Sequence, residues 1–280
     1  MTNAALFRKY TNAQSRFLFI EDALIHYRDE GQGEPLVLLH GSFASLHTFD
    51  GWAERLSKHY RVLRFDMPGF GLSDLEESVQ LSIPAFTHYL RRFLNLMGIE
   101  RCYLAGSSLG GWVAWEFAIS DPQRVSKLVL LDAAGYLTLD NVPLPFQMAR
   151  APFISGMMKY SIQRPLVERF VSQVYSDSRK ITPTLIDRYY ELFAKRGNPE
   201  AFVSFVKGRF RDNTLHLRNL QTPTLIMWGE DDHWLSVQNA RRFHEDIPNS
   251  ELIIYQHVGH IPMEEVPETT AHDLRVFLEG

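Results

Sequence analysis

The feature that most constrains the fold is a repeated alternation between short apolar runs and amphipathic helical segments. Four continuous apolar runs of strand length precede residue 135, and three segments with helical spacing of apolar residues separate them. Such runs are typical of strands buried on both faces, as in a parallel sheet covered by helices. The pattern therefore predicts an α/β fold with a mostly parallel central sheet and helices on both faces. The four runs are 36–39, 60–65, 101–105 and 125–131.

An antiparallel hairpin and a helical insert complete the predicted organisation. Residues 17–20 and 23–27 alternate like two short strands that turn at Glu21-Asp22. The α/β alternation stops near residue 135, and prolines and glycines then separate segments that all have helical spacing. It resumes with strands at 224–227 and 252–255. The helices expected after residue 135 are 146–160, 165–175, 182–195, 199–210, 237–247 and 269–278.

These boundaries predict two domains. We expect an α/β core domain formed by residues 1–135 and 219–280, interrupted by an all-helical cap over residues 136–218. The cap would be inserted before the last two strands of the sheet. Because it leaves and re-enters at the carboxyl edge of the sheet, we expect it to cover that edge.

Composition excludes several classes of protein and partner. The chain has 29 Lys and Arg against 33 Asp and Glu, a net charge of −4, so no basic excess exists to bind nucleic acid. No apolar run approaches the roughly 20 residues that span a bilayer. The N-terminus lacks an apolar segment followed by a cleavage site, and Cys102 is the single cysteine. We therefore expect a soluble cytoplasmic protein, without an integral membrane segment and without disulfides; monomer and homodimer both remain open.

The motif that points to chemistry is Gly106-Ser107-Ser108-Leu109-Gly110, which matches G-x-S-x-G. An apolar run precedes it and a helical pattern follows, which is the strand–turn–helix setting of a nucleophile elbow. The glycines suit a sharp turn, because side chains at the flanking positions would collide. The alternative interpretation is an ordinary helix N-terminus with Ser107 or Ser108 as the capping residue.

A serine nucleophile needs a base, and the base needs an orienting acid. Two later strands end in the segments Trp228-Gly229-Glu230-Asp231-Asp232 and Gln256-His257-Val258-Gly259-His260. The carboxyl ends of parallel strands meet at one edge, so an acid and a histidine are expected beside the serine. The residues alone leave the choice open: the candidate acids are Glu230, Asp231, Asp232 and Asp132, and the candidate bases are His257 and His260.

Together these motifs resemble the α/β-hydrolase superfamily, in its cap-bearing branch of carboxylesterase- and lipase-like serine hydrolases. The resemblance extends from about residue 17 to the C-terminus, and the cap is its least specific part. Its four motifs occur in the expected order. They are His40-Gly41-Ser42-Phe43, Asp66-Met67-Pro68-Gly69-Phe70-Gly71-Leu72-Ser73, the elbow, and Trp228-Gly229-Glu230-Asp231-Asp232 with Gly259-His260.

The resemblance implies a role for each site residue. Ser108 would be the nucleophile, His260 the general base and Asp232 the acid, since the family pattern W-G-x-x-D ends at that aspartate. The oxyanion hole would consist of the backbone N–H groups of Ser42 and Leu109. His40 is expected to bond to the backbone of the oxyanion loop. The eleven histidines show neither HExxH nor Cys/His spacing, so no metal and no cofactor is expected.

The expected substrate is a small, uncharged, hydrophobic carboxylic ester. The cap is rich in apolar and soft side chains, and few charged groups are expected near the serine. We predict that Phe43, Met148 and Met157 contact the substrate.

Other chemistries on the same scaffold remain open: hydrolysis of a carbon–carbon bond or a lactone, acyl transfer, and perhydrolysis. A different class is a slow receptor that uses the fold to bind a ligand. Carbon–carbon hydrolases of this branch usually carry tryptophan after the Gly-His histidine, whereas this chain has Ile261. Dehalogenases and epoxide hydrolases need aspartate at the elbow, where Ser108 stands.

Overall fold

The computed structural model describes residues 2–136, 143–151, 156 and 162–280. Nine strands of this part form one sheet. The strands are β1 (Ser15–Ile20), β2 (Ala23–Glu30), β3 (Pro35–Leu39), β4 (Arg61–Phe65), β5 (Asp74–Leu75), β6 (Cys102–Ser107), β7 (Val125–Leu131), β8 (Thr224–Gly229) and β9 (Ser250–Tyr255).

The sheet is mostly parallel, as predicted. Its order is β1-β2-β4-β3-β6-β7-β8-β9, with β5 paired to β2. The pairs from β4 through β9 are parallel, whereas β1 and β2 form the predicted antiparallel hairpin with Ile20 opposite Ala23. Because all strands from β3 to β9 except the short β5 run in one direction, the loops after β3, β6, β7, β8 and β9 meet at one edge.

The predicted helices are present, with ends that differ by up to three residues. The exception is the helix expected at 146–160, which is described only in part. Its first residues belong to α5, and residues 152–155 and 157–160 lie outside the described residues. The helices are α1 (Asn3–Tyr10), α2 (Asp50–Leu56), α3 (Ile83–Leu96), α4 (Leu109–Ser120), α5 (Leu144–Arg150), α6 (Arg164–Val174), α7 (Pro183–Phe193), α8 (Asn198–Lys207), α9 (Val237–Asp246), α10 (Pro262–Glu265) and α11 (Pro267–Glu279).

The described part of the region between β7 and β8 contains the α-helices α5 to α8 and no strand. This agrees with the expected insert, and the division of the chain into core and cap domains stays a prediction. None of the described helices is long and apolar enough to cross a bilayer.

The core lies on both faces of the sheet. Residues 36–39 of β3 and 128–131 of β7 are completely buried, which explains why these strands read as continuous apolar runs. Helix α3 is amphipathic: Ser82 caps its first turn, and one face buries Phe86, Leu90 and Phe93. Burying each side chain of this size contributes about 1.5–3 kcal/mol to stability.

Helix α1 is an element that the sequence analysis missed. Its two buried side chains, Leu6 and Tyr10, pack with Leu72 and Leu192 in a small cluster separate from the main core. A helix of eight residues gives only a weak periodic signal, and the partners of this cluster are distant in the sequence. The helix was therefore identified only from the structure.

Candidate active site

Ser108 occupies a sharp turn between β6 and α4. Its backbone is in a strained conformation, φ 53° and ψ −115°. The turn is held by Ser108 N, which donates to Leu131 O at 3.0 Å, and by Ala134 N, which donates to Ser108 O at 3.0 Å. Ser108 stands at the N-cap position of α4, but its side chain makes no capping hydrogen bond. The capping interpretation is therefore wrong for its hydroxyl.

The glycines of the elbow are required by close backbone approach. A Cβ atom on Gly106 would lie 2.2 Å from the carbonyl oxygen of Gly110. A Cβ atom on Gly110 would lie 2.2 Å from the carbonyl oxygen of Leu39 in β3. Any side chain at either position would force the strand, the turn and the helix apart, which explains the spacing of the motif.

His260 and Asp232 form a hydrogen-bonded pair beside this turn. His260 Nδ1 lies 2.7 Å from Asp232 Oδ2. The other carboxylate oxygen, Oδ1, accepts hydrogen bonds from Trp234 N at 2.7 Å and Leu235 N at 2.9 Å. Three N–H groups thus orient the carboxylate. His260 Nε2 is buried and has no hydrogen-bond partner among the described residues, so it is free to accept a proton.

The loop that carries His260 is anchored to the helical insert. His260 N donates to Val174 O at 2.9 Å, at the end of α6. Glu265 accepts hydrogen bonds from Gly259 N at 2.8 Å and from the backbone of Ser176 and Asp177. A Cβ atom on Gly259 would lie 2.4 Å from Val174 O, so glycine before the histidine permits this contact.

Three competing candidates point elsewhere. Glu230 and His257 are exposed, and Asp231 accepts a hydrogen bond from Ser176 Oγ at 2.7 Å. The structure thus brings together Ser108, Asp232 and His260, the set that the resemblance implied. The remaining candidate, Asp132, lies next to this set.

The loop after β3 lies against the elbow. A Cβ atom on Gly41 would lie 3.0 Å from Ser108 Cβ, so the backbone of this loop closely approaches the serine. Ser42 and Ser108 line the same cavity. Leu109 opens α4, so its N–H has no acceptor within the helix. These are the positions predicted for the oxyanion donors.

His40 supports the loop, and its predicted backbone bonding is confirmed. Its Nδ1 lies 2.8 Å from Gly41 O, and its Nε2 accepts a hydrogen bond from Met67 N at 2.9 Å. Complete burial lowers the pKa of His40, because burial disfavours the charged ring. A neutral ring with Nδ1 protonated satisfies both contacts.

Ser108 and His260 line a narrow cavity with a volume of about 30 Å³. This volume is well below the usual range for small-molecule sites. Among the described residues that line it, none is lysine, arginine, aspartate or glutamate. The apolar part of the lining consists of Phe43, Ala44, Val167, Phe170, Val171, Val174, Trp234, Ile261 and Met263.

The three residues predicted to contact the substrate differ in their positions relative to the cavity. Phe43 lines the cavity, and its ring packs against Phe193 and Phe202 with centroid distances of 4.6 and 4.3 Å. Met148 is half-buried against the main core and is not among the described residues that line the cavity. Met157 lies outside the described residues. All three substrate contacts stay predictions.

Two features of the cavity were missed by the sequence analysis. The first is the apolar face of α6, including Val167 and Val171. The second is Trp234, whose ring centroid lies 5.4 Å from that of His260. The nearness of Trp234 to Asp232 in the sequence was a signal that could have suggested its place; the face that α6 presents had no such signal.

An arginine behind the cavity wall is already paired. Arg188 donates to Glu264, which also accepts hydrogen bonds from Tyr189 at 2.8 Å and Thr48 at 2.7 Å. Tyr189 and Thr48 line the cavity, whereas the two charged groups stand behind them. The positive charge of Arg188 is therefore largely neutralised before it reaches the cavity.

A buried elbow serine beside a histidine–aspartate pair, at the carboxyl edge of a mostly parallel sheet, is the arrangement that α/β hydrolases use. A family model described as the alpha/beta hydrolase fold matches residues 34–267. The chain belongs to this family and is an α/β hydrolase.

Relatives and solved structures agree with this assignment. The chain is 31% identical over 265 residues to a 2-hydroxy-6-oxononadienedioate/2-hydroxy-6-oxononatrienedioate hydrolase of Paraburkholderia phymatum, covering 91% of this chain and 90% of the relative. It is similar to a crystal structure of a serine hydrolase involved in carbazole degradation, with a TM-score of 0.82, 26% identity, and 95% and 98% of the two chains covered. A thermophilic esterase from Thermogutta terrifontis shares the fold, with a TM-score of 0.83, 24% identity and coverage of 95% and 98%.

Proposed function

We propose that this chain hydrolyses a carboxylic ester of a small, uncharged, hydrophobic substrate through an acyl-enzyme on Ser108. The observation that carries the proposal is the cavity itself: Ser108 and His260 open into a space whose described lining has apolar walls and no carboxylate, lysine or arginine. Transferring a charged group into such a space without a partner is costly, whereas an alkyl or aryl group gains from burial.

In the proposed mechanism, His260 Nε2 takes the proton of Ser108 Oγ as the serine attacks the ester carbonyl. The backbone N–H groups of Ser42 and Leu109 stabilise the developing oxyanion, an effect worth about 2.7–4 kcal/mol per donor. His260 returns the proton to the leaving alcohol, and water then releases the acid by the same steps. Asp232 orients the ring and stabilises its protonated form.

Carbon–carbon hydrolysis is the second candidate, because the relative from Paraburkholderia phymatum carries a name of that kind. Its named substrates are dicarboxylates. In this chain Arg188, which lies behind Thr48 and Tyr189 of the cavity wall, is bound by Glu264. Ile261, an aliphatic side chain, follows the histidine and lines the cavity. Both observations favour a neutral ester.

A substrate comparison tests this choice. With p-nitrophenyl esters from acetate to palmitate, we expect turnover of the shorter esters and a drop in kcat/KM where the acyl chain outgrows the cavity. A 2-hydroxy-6-oxo-dienoate should react with kcat/KM at least about 100-fold lower, because none of the described residues that line the cavity is a lysine or arginine that could pair with its carboxylate. A dienoate that reacts faster than every ester would establish the carbon–carbon candidate instead.

Filling the cavity should shift the chain-length limit. Val171→Phe adds bulk to the α6 wall, so kcat/KM for the longest accepted ester should fall about tenfold or more, while acetate changes little. The matched control is Val276→Phe, on the exposed face of α11. An equal fall for acetate and for the longest ester would show that Val171 does not face the acyl chain.

A further inference from the structure

Asp132 carries a buried carboxyl group that has no role in the proposed mechanism. It follows β7 directly, is completely buried, and has a positive φ of 42°. Its Oδ1 accepts a hydrogen bond from Gly229 N at 3.0 Å. Its Oδ2 is buried and has no hydrogen-bond partner among the described residues. An unpaired buried carboxylate oxygen is costly, so the state of this group needs an explanation.

The carboxyl group of Asp132 is close to the histidine–aspartate pair. One oxygen of Asp132, one oxygen of Asp232 and one ring nitrogen of His260 lie within 4.8 Å of one another. Two ionised carboxylates this close, both buried, repel each other strongly. One of the two must therefore hold a proton when His260 is neutral.

The hydrogen bonds decide which carboxyl is ionised. Asp232 accepts from Trp234 N, Leu235 N and His260 Nδ1, which together stabilise an anion. Asp132 accepts from Gly229 N alone. Protonation is therefore far more favourable on Asp132 than on Asp232. It also makes Oδ2 of Asp132 a hydrogen-bond donor.

The burial of Asp132 and the charges around it also favour its protonated form. Burial, followed by the negative charge of Asp232, raises the pKa of Asp132 well above its usual range. Glu265 adds to the rise, and the backbone N–H of Gly229 opposes it. The titratable groups facing Asp132 are thus Asp232, His260 and Glu265, with Tyr255 close by.

We propose that Asp132 is a protonated carboxylic acid that donates its proton to the carboxylate of Asp232. It is a positioning residue: it holds Asp232 in place behind His260 without adding a second negative charge. It is also a reserve anion. If Asp232 loses its charge, Asp132 can release its proton to solvent and provide the carboxylate beside the histidine. The role in catalysis rests on the proposed function, whereas the protonation does not.

The protonation is tested by infrared spectroscopy of the whole protein. At neutral pH the wild type should show the carbonyl band of a buried carboxylic acid, shifted in D₂O, and Asp132→Asn should lose it. Asparagine is matched in shape, keeps an acceptor for Gly229 N and can donate to Asp232. An unchanged spectrum in that variant would overturn the proposal, whether or not the protein hydrolyses esters.

The reserve role is tested by a double mutant. Replacing a triad aspartate by asparagine lowers kcat by about 10⁴-fold in a serine protease. We expect kcat of Asp232→Asn to fall by only about 10³-fold or less. The activity of this variant should rise towards alkaline pH as Asp132 ionises. Asp132→Asn/Asp232→Asn should lose the remaining activity and the alkaline rise. Equal pH profiles for the single and the double variant would overturn the reserve role, and thermal unfolding of both checks that they fold.

Discussion

Replacing Ser108 by alanine should lower kcat by at least about 10⁴-fold while leaving the fold intact. Alanine keeps the Cβ atom that packs against Gly41, so the strained turn loses only its hydroxyl. The remaining groups, His260 and the oxyanion donors, cannot form an acyl-enzyme, and residual rates after loss of a nucleophile are far below the native rate. The measurement is the initial rate of ester hydrolysis.

The control for this variant is Ser120→Ala, at the exposed end of the same helix α4. It should retain the wild-type rate, and both variants should unfold at nearly the wild-type temperature. A Ser108→Ala protein that hydrolyses esters at a rate within tenfold of the wild type would show that the nucleophile has been assigned to the wrong residue.

Asp66→Asn should reduce the free energy of unfolding by about 3–5 kcal/mol. The Asp66 carboxylate is completely buried between three donors: Leu46 N at 2.7 Å, Leu72 N at 2.8 Å and His26 Nδ1 at 2.8 Å. An amide has one acceptor oxygen, so its NH₂ group would face an N–H donor. Leu46 follows the loop that carries Ser42, so the damage should also lower activity. Urea unfolding and ester hydrolysis measure the two effects.

The matched control is Asp29→Asn, which removes a half-exposed ion pair with Arg61 on neighbouring strands. Its expected cost is about 0–1 kcal/mol. If the two variants lost equal stability, burial of Asp66 would not be the source of its effect.

The same carboxylate gives the stability a pH dependence. Burial raises the pKa of Asp66, but the hydrogen bond and charge of His26, with contributions from His40 and His47, outweigh burial and lower the pKa below its usual range. A depressed pKa stabilises the fold above the unfolded value of about 3.9. The stability difference between wild type and Asp66→Asn should therefore shrink as the pH falls below about 4.

The central strands could be predicted from the sequence because their burial is local information. Residues 36–39 of β3 and 128–131 of β7 are buried on both faces and are all apolar, so each run is visible by itself. The same holds for the helices whose one face packs on the sheet, such as α3. Helix α1 is only eight residues long, too short to show a clear period, and its partners lie far along the chain.

The candidate site could be predicted wherever a residue follows a strand end. Ser108, Asp232 and His260 come after β6, β8 and β9, so parallel pairing alone brings them to one edge. Asp132 follows β7, so it too is expected at this edge. Its close approach to Asp232 could not be predicted, because it depends on the rotamers of the two side chains.

The walls of the cavity were the least predictable part. Phe43 was found because it adjoins a motif. Val167, Val171 and Val174 lie on the buried face of α6, and their spacing indicates only that this face packs against something. Whether it meets the insert, the sheet or a substrate is decided by how α6 docks near Ser108.

The most direct test of the proposed function is to locate the covalent intermediate. The wild-type protein would be treated with a fluorophosphonate probe and, separately, quenched during turnover of a p-nitrophenyl ester, and the modified peptide identified by mass spectrometry. We predict one adduct per chain, on Ser108, in both experiments, and none in Ser108→Ala. Ester turnover without any adduct on Ser108, or an adduct on another residue, would contradict the proposal.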